Sequence, residues 1–230
     1  MEQNSRIILL PVTNNEDTSS DIDKIISLTR SVEESEGPEW VSNINIPNES
    51  VLKDELDTAE KALFKTRNEY NNLIKHKRLL YDYSYALQDL CEFTLKEFGA
   101  IIKPSVVSDE FIIEFKDKEA LVEVKGKNKS IDKDDIGQLI TDIGQHISKV
   151  GNPIKGLFIG NGWRNIPIED RDVGNKRTFP KEIVQIADAQ NIGLLSSVEL
   201  FNAYCQMIDG KLSKEVILDT ILTSNGVIHF

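Results

Sequence analysis

Glu123 and Lys125 stand two residues apart in the run A-L-V-E-V-K-G-K-N-K-S-I at 120–131. A carboxylate can hold a hard divalent cation, and an ammonium beside it can orient a water or balance a developing negative charge. Together they outline phosphodiester chemistry. Leu121, Val122 and Val124 are strand formers and Gly126 closes the run, so the segment predicts a strand. Period-two alternation places Glu123 and Lys125 on one face and Val122 and Val124 on the other. An E-x-K pair on a strand is also a common solvated pair, so the neighbouring elements must decide whether it does chemistry.

The elements around it can converge on one cation site. Apolar spacing through Tyr83, Leu87, Leu90, Cys91, Leu95 and Phe98 predicts a helix over 79–98, stopped by Gly99 and offering Gln88, Asp89 and Glu92. The run F-I-I-E-F at 111–115 predicts a strand with Asp109 and Glu110 at its entrance. A polar turn at 116–119 then makes it an antiparallel hairpin with the E-x-K strand. In such a hairpin the entrance of one strand lies near the exit of its partner, so Asp109 or Glu110 can approach Glu123 and Lys125. The register favours Glu110; a one-residue slip would substitute Asp109, and only one of the two can point into the site. A helix over 134–149 with an acidic first turn follows and carries Gln138.

Further on, the pattern predicts a buried strand at 156–160, a basic glycine-containing loop, a helix over 180–190, a strand at 193–195 and a last helix opening near 197–199. This is an α/β order. In the loop, Trp163 can stack a base and Arg164 can hold a phosphate; a buried indole in a structural turn is the alternative. Lys127, Lys129 and Lys133 can track a phosphate backbone, or form a solvated loop.

The formal net charge of -11 is unevenly spread. Residues 1–60 carry 14 acids and 4 bases, a net of -10, whereas residues 61–230 carry 24 acids and 23 bases, a net of -1. The acidity therefore belongs to the N-terminal segment, and the remainder is compatible with a nucleic-acid partner. At 230 residues and 40% hydrophobic composition, the chain can bury a core. Nothing in it reads as a membrane span or a signal peptide, so a cytoplasmic protein is expected. Cys91 and Cys205 read as buried free thiols, and His76, His146 and His229 show no zinc-ligand spacing.

The N-terminal segment 1–50 predicts one short strand at 6–12, a helix over 21–32 and an acidic linker that Trp40 anchors to a surface. Leu52, Leu56, Ala59, Leu63, Thr66, Tyr70 and Leu73 then fall on heptad positions of a helical arm over 51–78, capped by Ser50. Two readings stay open: a coiled-coil arm forming a homodimer, or an amphipathic helix lying along its own domain.

With these residues in place, the segment 79–230 resembles the PD-(D/E)XK, restriction-endonuclease-like nuclease superfamily. The resemblance is carried by L-L-Y-D-Y-S-Y-A-L-Q-D-L-C-E-F-T-L-K-E-F-G, D-E-F-I-I-E-F, V-E-V-K-G and I-G-Q-L, with I-K-G-L-F-I-G-N-G-W-R, R-T-F-P and L-L-S-S-V-E-L-F behind them. It implies a mixed sheet flanked by helices and metal-dependent cleavage of nucleic acid, DNA favoured, in restriction or phage defence. It also implies Mg²⁺ or Mn²⁺ on Glu123 and on Glu110 or Asp109, a water positioned by Lys125, and support from Gln138. Gln88 departs from the pattern, which has a glutamate there, and Glu110 stands where an aspartate is usual. A second reading follows: a nuclease-fold module without catalysis that binds nucleic acid or a protein partner. A third has the acidic N-terminal segment mimicking nucleic acid and covering the basic site.

Overall fold

The computed structural model describes residues 38–230. The strand expected at 6–12 and the helix expected at 21–32 lie outside them. The chain divides into two compact units, residues 1–62 and 63–230.

In the first unit, residues Glu39–Asn43 form a short turn of 3₁₀ helix. Trp40 is 63% exposed, so it does not anchor the linker as expected; the turn closes on itself through Val41 N–H to the Pro38 carbonyl. Helix α1, Glu49–Lys75, begins one residue before the expected cap Ser50. The reason is local: the Glu49 carboxylate accepts from the Ile46 N–H at 3.0 Å and holds the entering chain. No residue of α1 is buried, and Leu52, Leu56, Leu63, Tyr70 and Leu73 of the heptad stripe are all exposed.

The second unit is built on six strands in the order β1-β2-β3-β4-β5-β6. They are β1 (Ile101–Pro104), β2 (Phe111–Phe115), β3 (Lys118–Gly126), β4 (Lys155–Asn161), β5 (Ile192–Ser196) and β6 (Gly226–Ile228). The first three pair antiparallel and β3 to β6 pair parallel, so the sheet is mixed, as the resemblance implies. Helices are α2 (Ser84–Glu97), α3 (Lys133–Val150), α4 (Lys181–Ala189), α5 (Ser197–Ile208) and α6 (Lys214–Thr223).

Alternation along the strands sorts the core into two layers. Val122, Val124, Leu157, Ile159 and Leu195 pack with Leu87, Leu90 and Leu95 of α2, Leu200 of α5 and Ile217 and Ile221 of α6. Leu121, Phe158, Ile192 and Leu194 face the other way, onto Ile136 and Leu139 of α3 and Ile183 and Ala187 of α4. Strand β3 thus carries two opposite apolar faces along most of its length. Glu123 and Lys125 replace the apolar side chains at the end of the face that α3 covers.

Several boundaries differ from expectation for physical reasons. The helix expected over 79–98 is broken into a 3₁₀ turn, His76–Leu80, and α2. Arg78 holds Asp82 by a 2.7 Å ion pair and a 2.8 Å bond from Nε, and Tyr83 is extended at φ -150 and ψ 172. The β2–β3 turn needs only Lys116, at φ 55, and Asp117, because Phe115 already pairs with Lys118. Strands β1 and β6 and helix α6 extend the predicted order. Cys91 is buried, but Cys205 is exposed, because α5 turns Leu200, Ala203 and Tyr204 inward and leaves the next position outside. Among the described residues no helix is long and apolar enough to cross a membrane.

Candidate active site

The β2–β3 register sets the geometry. Phe111 pairs with Val122, so the residue before Phe111 comes opposite the residue after Val122. These are Glu110 and Glu123, and their carboxyl groups lie within hydrogen-bonding reach of each other. Glu123 is wholly buried, and Lys125 Nζ pairs with its Oε1. Oε2 of Glu123 and Oε2 of Glu110 are buried and have no protein donor. Burial, and then the neighbouring Glu123, push the Glu110 carboxyl up to about 8 from an ordinary 4.5; Lys125 opposes the shift and Asp142 adds to it. Burial works against the charge of Lys125, but Glu123, then Glu110 and Asp135, outweigh it and raise its pKa.

Asp142 is the member of this group that the sequence reading did not single out. It is buried on α3, one turn beyond Gln138, whose Nε2 donates to its two carboxylate oxygens at 3.1 and 3.0 Å. Gln138 therefore meets this group through Asp142. A signal for Asp142 was present: the inward stripe of α3 contains Asp135, Ile136, Leu139, Asp142 and His146, so polar groups occupy core positions of an otherwise apolar periodicity.

Asp109 is exposed, and its part is played by its main chain: the carbonyl accepts from Gln88 Nε2 at 3.0 Å. Gln88 thereby ties α2 to the entrance of β2. A cleft of about 410 Å³ opens here, lined by Tyr83, Tyr85, Gln88, Asp109, Glu110 and Lys125 among others.

The expected phosphate-tracking lysines are placed differently from one another. Lys127 Nζ lies 2.8 Å from Asp132 Oδ2 and also pairs with Asp135, and Lys129 Nζ lies 3.2 Å from the same Asp132 oxygen. Those acids form the capping box of α3: Asp132 accepts from the Asp135 N–H, and Asp135 from the Asp132 N–H. Lysine pairing, first of all with Lys127, holds the Asp132 carboxyl well below its ordinary range. Lys133 is exposed and unpaired among the described residues. Trp163 is half-buried at φ 55, and its indole N–H reaches Ser130 Oγ and the Arg177 carbonyl, both at 3.3 Å. It shares a second cleft, of about 560 Å³, with Lys129 and Lys133. Arg164 turns the other way, with its guanidinium 4.2 Å from the centre of the Tyr83 ring. The loop is held by Arg171, which is buried and donates to the carbonyls of Ile166 and Arg164 and to Asn161 Oδ1.

Among the described residues no three histidine, cysteine or acidic side chains form a ready metal cluster. The donor set nonetheless fits a hard divalent cation at Glu110 and Glu123, because two buried carboxylate oxygens without donors are what an oxygen-seeking cation satisfies.

No protein-family model and no curated protein matches the sequence. Among solved structures, the chain is similar to restriction endonuclease FokI, with 18% identity over 66% of this chain, a TM-score of 0.42 and 30% of the FokI chain covered. It is likewise similar to FokI bound to DNA, with 16% identity over 66% of this chain, a TM-score of 0.40 and 29% of that chain covered. The matched region thus spans less than a third of the FokI chain. Residues 79–230 hold a mixed sheet with helices on both its faces and V-E-V-K-G on its third strand.

Proposed function

We propose that the chain is a metal-dependent nuclease that hydrolyses phosphodiester bonds of nucleic acid, DNA favoured. One observation carries the reading: half-buried Glu110 and wholly buried Glu123 set their carboxyls against each other beside Lys125, with a buried oxygen of each lacking a donor. Such an arrangement costs stability unless a proton or a cation joins the two acids. Glu110 and Glu123 would hold Mg²⁺ or Mn²⁺, which supplies Lewis acidity at a phosphoryl oxygen and a more acidic bound water. Lys125, kept charged by the acids around it, balances charge at the phosphate and orients the attacking water. Gln138 and Asp142 fix the α3 side of the centre, and Lys133 offers a free cation beside the cleft that Trp163 lines. A role in restriction or phage defence follows from the family resemblance alone.

A second reading is favoured by Gln88. Its amide is committed to the Asp109 carbonyl, so the usual first-helix carboxylate is replaced by a structural tie. In that reading the domain binds nucleic acid or a protein without cutting, and the exposed stripe on α1 mediates dimerisation.

A cleavage time course on plasmid and on single-stranded DNA, with Mg²⁺, Mn²⁺ or EDTA, separates the two. Metal-dependent cutting that falls at least about 100-fold in both Glu123→Ala and Lys125→Ala supports the enzyme. Equal inertness of wild type and variants with either metal on both substrates leaves the binding module.

A further inference from the structure

Tyr81, Tyr83 and Tyr85 alternate in the run Y-D-Y-S-Y, and they are 53, 56 and 69% exposed. Two of them, Tyr83 and Tyr85, line the same 410 Å³ cleft as Glu110 and Lys125. We propose that Tyr83 and Tyr85 form a stacking platform for unpaired bases at the mouth of this cleft, so that the substrate is single-stranded or locally unpaired DNA. The proposal rests on the nuclease reading above and names its substrate class.

The platform is built, not merely exposed. Tyr83 is extended, and Ser84 at φ 53 turns the chain into α2, which sets Tyr85 in the first helical turn. Strand β3 comes so close to this segment that a Cβ on Gly126 would lie 2.8 Å from Tyr83 Cα and Cβ. Asn161 Nδ2 donates to the Asp82 carbonyl at 3.0 Å, and buried Arg171 fixes Asn161 through its Oδ1 at 3.1 Å. Arg164 donates to the Tyr81 carbonyl at 3.3 Å and lies over the Tyr83 ring. The tyrosine segment is therefore pinned from β3, from β4 and from the loop after β4.

The chemistry of the site selects the ligand. Aromatic rings beside a cation bind single strands by stacking on base faces while the cation takes a phosphate. Arg164 has no carboxylate partner among the described residues, and its Nε is buried without an acceptor. Tyr83 remains 56% exposed with Arg164 on its ring, which leaves surface for a base. A base pair in a duplex keeps its faces inside the stack and cannot use such a surface. A single strand laid across Tyr83 and Tyr85 would bring its backbone past Lys125, with the ring positions setting where the chain is cut.

The test is fluorescence anisotropy of the full chain in EDTA, where binding is read without cleavage. The probes are a labelled single-stranded DNA oligonucleotide, the same sequence as a blunt duplex, and an abasic strand with the same phosphates. The expected result is tighter binding of the single strand than of either control. Tyr83→Ala and Tyr85→Ala should each weaken single-strand binding about tenfold, the loss of roughly one stacked base, and Tyr85→Phe should retain it. Tyr85 is exposed enough that its removal leaves the fold intact, which keeps the test valid if Tyr83→Ala unfolds. Equal affinity for duplex or abasic strand, unchanged affinity in Tyr85→Ala, or no binding to any probe overturns the proposal. Single-strand preference without metal-dependent cutting would overturn only the nuclease reading, and cutting without that preference only the platform.

Discussion

Glu110 and Glu123 oppose each other across the end of the β2–β3 hairpin, and Lys125 ion-pairs with Glu123 alone. Glu110 is thus the acid of the pair whose charge is least compensated. Burial first, and then the neighbouring Glu123, raise its pKa to about 8.

A pH dependence of stability follows. In the unfolded chain Glu110 loses its proton near the ordinary 4.5, whereas in the folded chain it keeps it to about 8. Between those values the folded state binds the extra proton, so stability falls as pH rises through the window. Urea unfolding of wild type and Glu110→Gln across it should show wild type losing ground to the variant towards pH 8. Mg²⁺ should restore wild type at pH 8 more than at pH 6, because the cation replaces the proton. Parallel curves for the two proteins would remove the paired-carboxyl centre.

Removing Lys125 while keeping Glu123 should leave a wholly buried carboxylate without its cation. Lys125→Met is expected to cost about 2 kcal/mol, less than the roughly 3–5 kcal/mol of a fully buried pair because the Lys125 side chain is half-exposed. Adding Glu123→Gln should return most of that loss. Additive losses in this double-substitution cycle would show that the two side chains are uncoupled.

Gly126→Ala forces a methyl group to within 2.8 Å of the Tyr83 main chain, which cannot swing aside as a flexible side chain could. A destabilisation of about 1–3 kcal/mol is expected. Faster amide exchange should accompany it in the segment around Tyr83. Unchanged thermal unfolding would mean that the segment is not held against β3.

Arg171→Lys keeps the charge but cannot reach the Ile166 and Arg164 carbonyls and Asn161 Oδ1 together. A loss of about 1–3 kcal/mol is expected from acceptors left without donors. Hydrogen exchange should localise the loosening to the loop after β4 and to the Tyr81–Tyr83 segment that Asn161 and Arg164 support. Uniform exchange across the sheet would contradict this local role.

Much of the fold was legible because strands buried on both faces and helices with a wet face leave different periods in the sequence. The runs around Phe111, Val122, Phe158 and Leu194 lie on strands within a residue or two of expectation. Helix α3 was equally readable from its acidic start, which is a capping box in the folded chain. Short elements without a full period were not readable: Ile101–Pro104, Gly226–Ile228 and α6 exist because the sheet gives them an edge or a face to pack on.

The sequence by itself determined that an acid and an amine share one face of β3, since a strand alternates whatever surrounds it. It also narrowed the opposing acid to Asp109 or Glu110. Register already favoured Glu110, and the tertiary structure sets it opposite Glu123 and leaves Asp109 exposed, because strand register fixes which face an acid occupies. Only the tertiary structure brought Asp142 from α3 to the pair, set the Gln88 amide on a main-chain carbonyl, and divided Trp163 from its neighbour Arg164. Contacts between distant segments arise when several elements pack on one sheet. Neither local period nor spacing carries their geometry.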